Sequence, residues 1–189
     1  MTHEHDAPSE WRAPGRRFLI ALPLLVIAAR AQAQLKRPEV APTWYRVQVE
    51  GDAFTVEMPD VPDHRLINDV SARGTPFVLH SYSLDLGGNS YVAQTALYPA
   101  DVDTRQPRAV LQAALDARAQ KLAGGRWATT SWREIDGATA VESTGTVGNG
   151  SQLRQLSALK GPRFISLAFL GPTVTGPEAD RFFRSLKIK

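Results

Sequence analysis

The sequence contains no cysteine among its 189 residues. This absence excludes disulfides, thiolate metal sites, a cysteine nucleophile and a lipoprotein anchor. Histidine is also scarce, and two of the four histidines, His3 and His5, lie in a segment that we expect to be removed. Acid–base or metal chemistry based on histidine would therefore depend on His64 and His80.

The short motifs of common enzyme sites are missing as well. No Gly-x-Ser-x-Gly elbow is present, and Ser81, Ser83 and Ser157 fall inside predicted strands. Gly87-Gly88 and the stretch 148–150 lie between strands and not before a helix, which favours hairpin turns over phosphate binding. The sequence thus predicts a protein that is not an enzyme, with no catalytic residues, no cofactor and no metal.

Basic charge is present but is not concentrated. The chain has 22 basic and 19 acidic residues, a net charge of +3, and no cluster of Lys and Arg. A nucleic-acid partner is therefore not expected. With 43% hydrophobic and 22% charged residues, the composition is that of a globular protein.

The longest apolar run, residues 18–29, has twelve residues. As a helix it would span about 18 Å, well short of the roughly 30 Å hydrocarbon core of a membrane. Basic residues precede it and Ala31-Gln32-Ala33 follows it, which is typical of a secretory signal peptide cleaved between Ala33 and Gln34. The mature chain is expected in the periplasm or outside the cell, without a transmembrane anchor.

Arg16 and Arg17 directly precede the apolar run and resemble a twin-arginine export signal. The match is partial, so the general secretory route stays open beside it. The sequence divides into a signal peptide over 1–33, a proline-containing lead-in over 34–43 and one domain over 44–189.

The domain is predicted to be α+β, an antiparallel sheet of about seven strands with helices packed on it. Its centre is a three-strand meander over 138–147, 152–159 and 163–170. An N-terminal hairpin with strands over 44–49 and 54–58, a strand pair over 77–86 and 90–98, and a strand over 126–135 add to it. Both strands of the pair carry apolar or small residues on both faces, which predicts coverage on each side. Residues 64–76 fit either an edge strand or a loop.

Two helices are predicted. Apolar residues from Pro107 onward recur at spacings of three and four, which indicates one long amphipathic helix that stops near Gly124-Gly125. Thr175 has Ser/Thr-x-x-Glu spacing to Glu178 and predicts the start of a short helix. That helix would bury the rings of the closing Phe-Phe-x-Ser-Leu motif, and residues 187–189 would add a short edge strand.

This order resembles that of the small exported bacterial proteins with a PsbP-like domain. The motifs that carry the resemblance are Phe-x-Val-x-Met-Pro at 54–59, Leu97-Tyr98-Pro99, the Asp-Gly turn at 136–137 and Phe-Phe-x-Ser-Leu at 182–186. The resemblance covers nearly the whole mature chain and implies an α-β-α sandwich. It also implies a binding or assembly role without an active site, so no site residues are carried over.

Three further sets of side chains could serve either a functional or a structural role. His80 is expected on a buried face, where a core or rim histidine is favoured over a metal ligand. Glu142 and Arg154 are expected to form an ion pair across the meander, and a structural pair is favoured over a catalytic one. Trp44, Trp127 and Trp132 are read as core residues in preference to a ligand platform.

The sequence supports an exported, non-enzymatic envelope protein that binds a partner protein or a small apolar ligand. An accessory or chaperone-like factor, which would expose an apolar patch, remains open beside it. So does a hydrolase, which would gather His80, Glu142 or a serine in a deep pocket. The sequence does not determine the oligomeric state.

Overall fold

The computed structural model describes residues 43–49, 51 and 53–189. The expected leader and most of the lead-in, including Arg16, Arg17, Ala33 and Gln34, lie outside the described residues. The strands are β1 (Tyr45–Gln48), β2 (Phe54–Met58), β3 (Asp63–Val70), β4 (Pro76–Leu86), β5 (Asn89–Leu97), β6 (Thr129–Ile135), β7 (Ala138–Thr146), β8 (Gln152–Lys160), β9 (Arg163–Gly171) and β10 (Lys187–Ile188). The helices are α1 (Pro107–Ala119) and α2 (Pro177–Arg184), and a 3₁₀ turn covers Ala123–Gly125.

Seven strands form one antiparallel sheet in the order β3-β4-β5-β9-β8-β7-β6, here called the large sheet. The non-consecutive pairing joins β5 to β9, with Thr95 opposite Ile165. Gly87 and Gly88 have φ of 60° and 85°. This left-handed conformation suits glycine and reverses the chain tightly between β4 and β5. The predicted seven-stranded antiparallel sheet with one long and one short helix is confirmed.

The N-terminal hairpin does not extend this sheet. Strands β1, β2 and β10 form a separate three-stranded sheet, here called the small sheet, with Ile188 opposite Phe54. Pro59 and Pro62, between β2 and β3, interrupt the ladder because proline cannot donate a backbone hydrogen bond. The predicted short strand near the end is confirmed as β10.

The large sheet separates two apolar cores. The first lies between the large sheet and the layer made by the small sheet and α2; its large buried side chains include Phe54, Met58, Tyr91, Leu156, Leu167 and Phe182. The second lies between the large sheet and α1; it includes Leu79, Leu111, Leu115, Val141, Leu159 and Phe164. Coverage of both faces explains why the central strands read as apolar on both sides.

The helices begin where the sequence predicts but differ in their details. Helix α1 starts at Pro107 and ends at Ala119, before Gly124, because the chain leaves the helix into the 3₁₀ turn. Helix α2 starts after Gly176 without a side-chain cap. The N-cap residue is Gly176 and not Thr175, so the Ser/Thr-x-x-Glu spacing marks the helix start without a capping bond, and the Thr175 hydroxyl pairs with that of Thr173 at 3.1 Å.

Candidate binding site

One end of the large sheet exposes apolar side chains on the face that the small sheet covers elsewhere. Leu66 and Val70 of β3 are 62% and 54% exposed, Val78 of β4 is 40% exposed, and Leu97 of β5 is 52% exposed. We call these four residues the open patch. They lie on strands β3 to β5, beyond the reach of the layer that the small sheet and α2 form, which is called the second layer from here on.

The ladder register places the open patch on one face. Leu66 lies opposite His80, so it shares a face with the even-numbered residues of β4. Leu79 lies opposite Ala96, which places the neighbouring Leu97 opposite Val78. The expectation that β4 and β5 are covered on both sides is therefore wrong at this end of the sheet. Further along β4 the same face is covered, since Tyr82 is 7% exposed.

An open cleft of about 500 Å³ borders the open patch where β4 and β9 begin and β5 ends. Its lining includes Pro76, Val78, His80, Leu97, Pro99 and Arg163. Gly51, between β1 and β2, also lines it. The cleft is therefore bounded by the large sheet and by the turn of the first hairpin.

Arg163 supplies the positive charge of this cleft. No carboxylate within the described part of the chain forms an ion pair with its guanidinium. Together with apolar walls and the imidazole of His80, this cation fits an apolar group that ends in a carboxylate or another acceptor. Arg163 was not predicted as a site residue, because a basic residue at the start of a strand does not by itself indicate a binding site.

His80 lies at the rim of the cleft and is only partly buried, so its expected place on a buried face is wrong. Strand β4 is next to the edge of the sheet, and the second layer ends before His80. The structure also brings His64 of β3 to it, with 3.3 Å between His80 Nδ1 and His64 Nε2. The sequence left residues 64–76 as strand or loop and therefore did not predict this contact.

Two of the three serines considered as nucleophiles, Ser81 and Ser157, have structural partners. Ser81 accepts a hydrogen bond from Gln94 Nε2 at 3.2 Å, and Ser157 accepts one from Gln155 Nε2 at 2.8 Å. Both serines are buried. Neither serine forms a hydrogen bond with a histidine. Within the described residues, these two serines therefore form no serine–histidine pair of the kind used in nucleophilic catalysis.

Glu142 lies in a different region, under α2. Arg154 Nε donates to Glu142 Oε1 at 2.6 Å, and Arg154 Nη1 donates to Asp180 Oδ1 at 2.8 Å. The predicted Glu142–Arg154 pair is confirmed, but it is 16% and 17% exposed and so is less solvated than a surface pair. The guanidinium also lies 4.4 Å from the ring centroid of Phe183. These contacts fasten α2 to the large sheet and support a structural role.

A second arginine, Arg118 of α1, faces the large sheet from this helix. Arg118 Nη1 donates to Gln155 Oε1 at 2.6 Å, and burial lowers the pKa of the guanidinium to about 10. Ser143, Ser157 and Gln155 make this part of the second core polar. Because Arg118 is in the last turn of α1, its positive charge also complements the negative end of the helix dipole.

The three tryptophans do not form one platform. Trp44 packs against the first core, and Trp127 and Trp132 pack against the second, on the other side of the large sheet. Trp127 Nε1 donates to the Leu115 carbonyl at 3.1 Å, which fixes it to α1. Their reading as packing residues agrees with these positions.

The described residues contain no group of three or more His, Asp or Glu side chains arranged to hold a metal ion. Nor do they contain a helix of the length and hydropathy that crossing a membrane requires.

The architecture is similar to the solution structure of cyanobacterial PsbP (CyanoP) from Synechocystis sp. PCC 6803. The TM-score is 0.51 at 12% sequence identity, and the alignment covers 83% of this chain and 98% of the CyanoP chain. No protein-family model and no curated protein matches the sequence. The chain therefore has a PsbP-like fold, in agreement with the sequence motifs, and at this identity the similarity concerns the fold alone.

Proposed function

We propose that this chain, built on a PsbP-like fold, is a non-catalytic envelope protein that holds an apolar segment of a partner protein on the open patch. The observation that carries the proposal is the exposure of Leu66, Val70, Val78 and Leu97 on one face at a sheet edge. Grouped apolar side chains at an edge favour aggregation unless something covers them. A partner that covers them gains the free energy of their burial.

The edge strand gives this partner a way to dock. Among the described residues β3 pairs with β4 alone, so the outer backbone groups of β3 are available to an added strand. An extended segment paired with β3 would place alternate side chains beside Leu66 and Val70. If the segment then crosses the open patch towards β5 and ends in a carboxylate, Arg163, opposite Leu97 at the start of β9, is positioned to pair with it.

Export is the second part of the proposal and is supported by the sequence. Basic residues, an apolar run of twelve and the Ala-x-Ala site before Gln34 have the order of a signal peptide. The partner would then be an envelope or secreted protein. Whether the chain travels by the twin-arginine or the general route does not affect the binding surface.

The cleft favours a second candidate function, the binding of a small apolar ligand. Its volume of about 500 Å³ is within the range of small-molecule sites. An acidic apolar molecule would place its apolar part against Val78 and Leu97 and its acid near Arg163. An accessory factor that serves several partners would use the same open patch, and it differs from the first candidate in the number of proteins bound.

Site-specific photo-crosslinking tests the first candidate. The full chain is expressed with its own leader in an exporting bacterium, with a photoreactive amino acid at Leu97 or, as matched control, at Ser131 on the opposite edge. We expect a discrete crosslinked protein from position 97 and none from position 131. Intact mass of the exported chain reports at the same time whether residues 1–33 have been removed.

Substitutions then separate the candidates. Leu66→Asp should abolish the crosslink from position 97, whereas Ser131→Asp should leave it unchanged. Equal crosslinking from both edges, or none from either, would contradict docking at the open patch. A bound small molecule in native mass spectra, lost on Arg163→Ala, would favour the second candidate, and many different crosslinked proteins would favour the accessory role.

A further inference from the structure

His64 and His80 meet edge to edge on the exposed end of the large sheet. Their ring centroids are 5.5 Å apart, their planes differ by 13°, and the nearest nitrogens are 3.3 Å apart. Since each nitrogen lies one ring radius from its own centroid, these values place both nitrogens near the line that joins the centroids. The imidazoles are therefore close to coplanar, and His80 Nδ1 and His64 Nε2 face each other.

The protein holds this pair in place from below. The His64 ring stacks on Tyr82 with a centroid distance of 4.4 Å and an angle of 7°. Tyr82 is 7% exposed and lies opposite His64 in the β3–β4 ladder, so it forms a rigid base for the edge-strand imidazole. Solvent reaches His64 and part of His80.

We propose that His64 and His80 bind a first-row transition-metal dication, with Cu²⁺ the most strongly held. Neutral imidazoles are preferred ligands of Cu²⁺, Ni²⁺ and Zn²⁺, and affinities at nitrogen sites are highest for Cu²⁺. Mg²⁺ and Ca²⁺ require oxygen ligands and should bind poorly. This site adjoins the open patch, since His80 also lines the cleft, but metal binding does not depend on the proposed function.

The spacing of the nitrogens already suits one ion. At metal–nitrogen bonds of about 2.0–2.1 Å, a 3.3 Å separation subtends about 107° at the metal, close to the tetrahedral angle. Each ring would turn by roughly 35° so that its lone pair points at the ion, and the ring that donates in the hydrogen bond would carry its proton on its other nitrogen. The χ2 torsion of histidine has a broad energy profile, so the two rings can turn, although His64 then gives up part of its parallel stacking on Tyr82.

The remaining coordination positions are left for water or an outside ligand. Leu66, opposite His80 in the ladder, supplies no donor, and the described residues offer no third side-chain ligand. The pair without metal is held by an exposed imidazole–imidazole hydrogen bond, which contributes little in water. Replacing that bond by two metal–nitrogen bonds therefore sacrifices little of the native structure.

The test uses the processed, untagged protein, with removal of His3 and His5 confirmed by intact mass. Cu²⁺ is titrated against a chromophoric chelator, with Mg²⁺ as the control ion, and bound Cu²⁺ is examined by electron paramagnetic resonance. We expect one ion per chain and hyperfine structure from two nitrogens. His64→Ala and His80→Ala should each weaken Cu²⁺ binding at least about tenfold, since even outer-shell partners are worth 10–100-fold.

A matched variant and a second readout keep the result specific. Asp63→Ala, next to His64 but on the other face of β3, should bind Cu²⁺ like the unmodified protein. Thermal unfolding with and without Cu²⁺ should show a metal-dependent rise in Tm that both histidine variants lose. Unchanged Cu²⁺ affinity in folded histidine variants, or equal affinity for Mg²⁺, would overturn the proposal and leave the pair as a hydrogen bond alone.

Discussion

Within the described residues, β3 and β6 each pair with one neighbour and form the two edges of the large sheet, yet the side chains they expose differ. β6 exposes threonine, serine, arginine and glutamate, and its large aromatic residue, Trp132, is partly covered, with Arg108 5.5 Å from the ring centroid. β3 also exposes polar side chains, but it adds Leu66 and Val70 beside Val78 and Leu97. The same sheet thus ends in a polar edge and in a mixed edge that carries an apolar patch.

The difference bears on which edge a partner would cover. Charged and polar residues keep an edge strand from pairing with other chains, and β6 is of this kind. Apolar residues at β3 contribute little to the stability of the isolated chain, because they remain in water. A partner at the β3 edge would account for this contrast, and the predictions below test whether the open patch is separate from the core.

The largest effect is expected where the second layer covers the large sheet. Phe182 of α2 is fully buried and contacts Tyr91 edge-on, with ring centroids 5.5 Å apart. Phe182→Ala should lower the free energy of unfolding by about 3–5 kcal/mol. Leu66→Ala, at the open patch, should change it by about 0.5 kcal/mol or less. Urea unfolding of both variants makes the comparison, and a large loss in Leu66→Ala would place the patch within the core.

An intermediate effect is expected at the contacts that hold α2. Arg154→Ala removes the bonds to Glu142 and Asp180 and leaves Glu142 partly buried with Arg133 as its remaining ion-pair partner. We expect a loss of about 2 kcal/mol in the free energy of unfolding, below the value for a fully buried pair. Arg105→Ala, which breaks the exposed Arg105–Asp103 pair, is the matched control and should show no measurable change. Equal losses in the two variants would show that burial under α2 does not strengthen the Arg154 contacts.

The smallest effect is expected from acid. The hydrogen bond from Arg154 lowers the pKa of Asp180 below its ordinary value of 3.8. A carboxyl whose folded pKa is lowered adds stability above its unfolded pKa, and this stability is lost as the pH falls through the folded pKa. The free energy of unfolding should therefore decrease below about pH 3.8 through this group.

Asp180→Asn should flatten this part of the pH profile, measured by urea unfolding between neutral and acidic pH. In an Arg154→Ala background the same substitution should have less effect, because the bond that lowers the pKa is already absent. A profile that Asp180→Asn leaves unchanged would assign the acid sensitivity to other carboxyls and not to the attachment of α2.

Local patterns predicted the elements that bury a complete face. The alternation in β2 gave its residues 54–58 without error, and the Phe-Phe-x-Ser-Leu motif correctly indicated burial of Phe182 and Phe183. The open patch was not predicted, because alternation shows which face is apolar but not where a second layer ends. The His64–His80 contact depends on the register of an edge strand with weak alternation, so it also required the three-dimensional structure.

The pairing of β10 with β2 has a consequence for synthesis. Phe54 and Ile188 lie opposite each other, so nearly the whole domain must leave the ribosome before the small sheet can close. At about 5–20 residues per second, roughly 7–27 seconds of translation separate the two strands. During that interval one edge of β2 and its Phe54 ring have no native cover, so a chaperone can engage a chain that has not yet become able to fold.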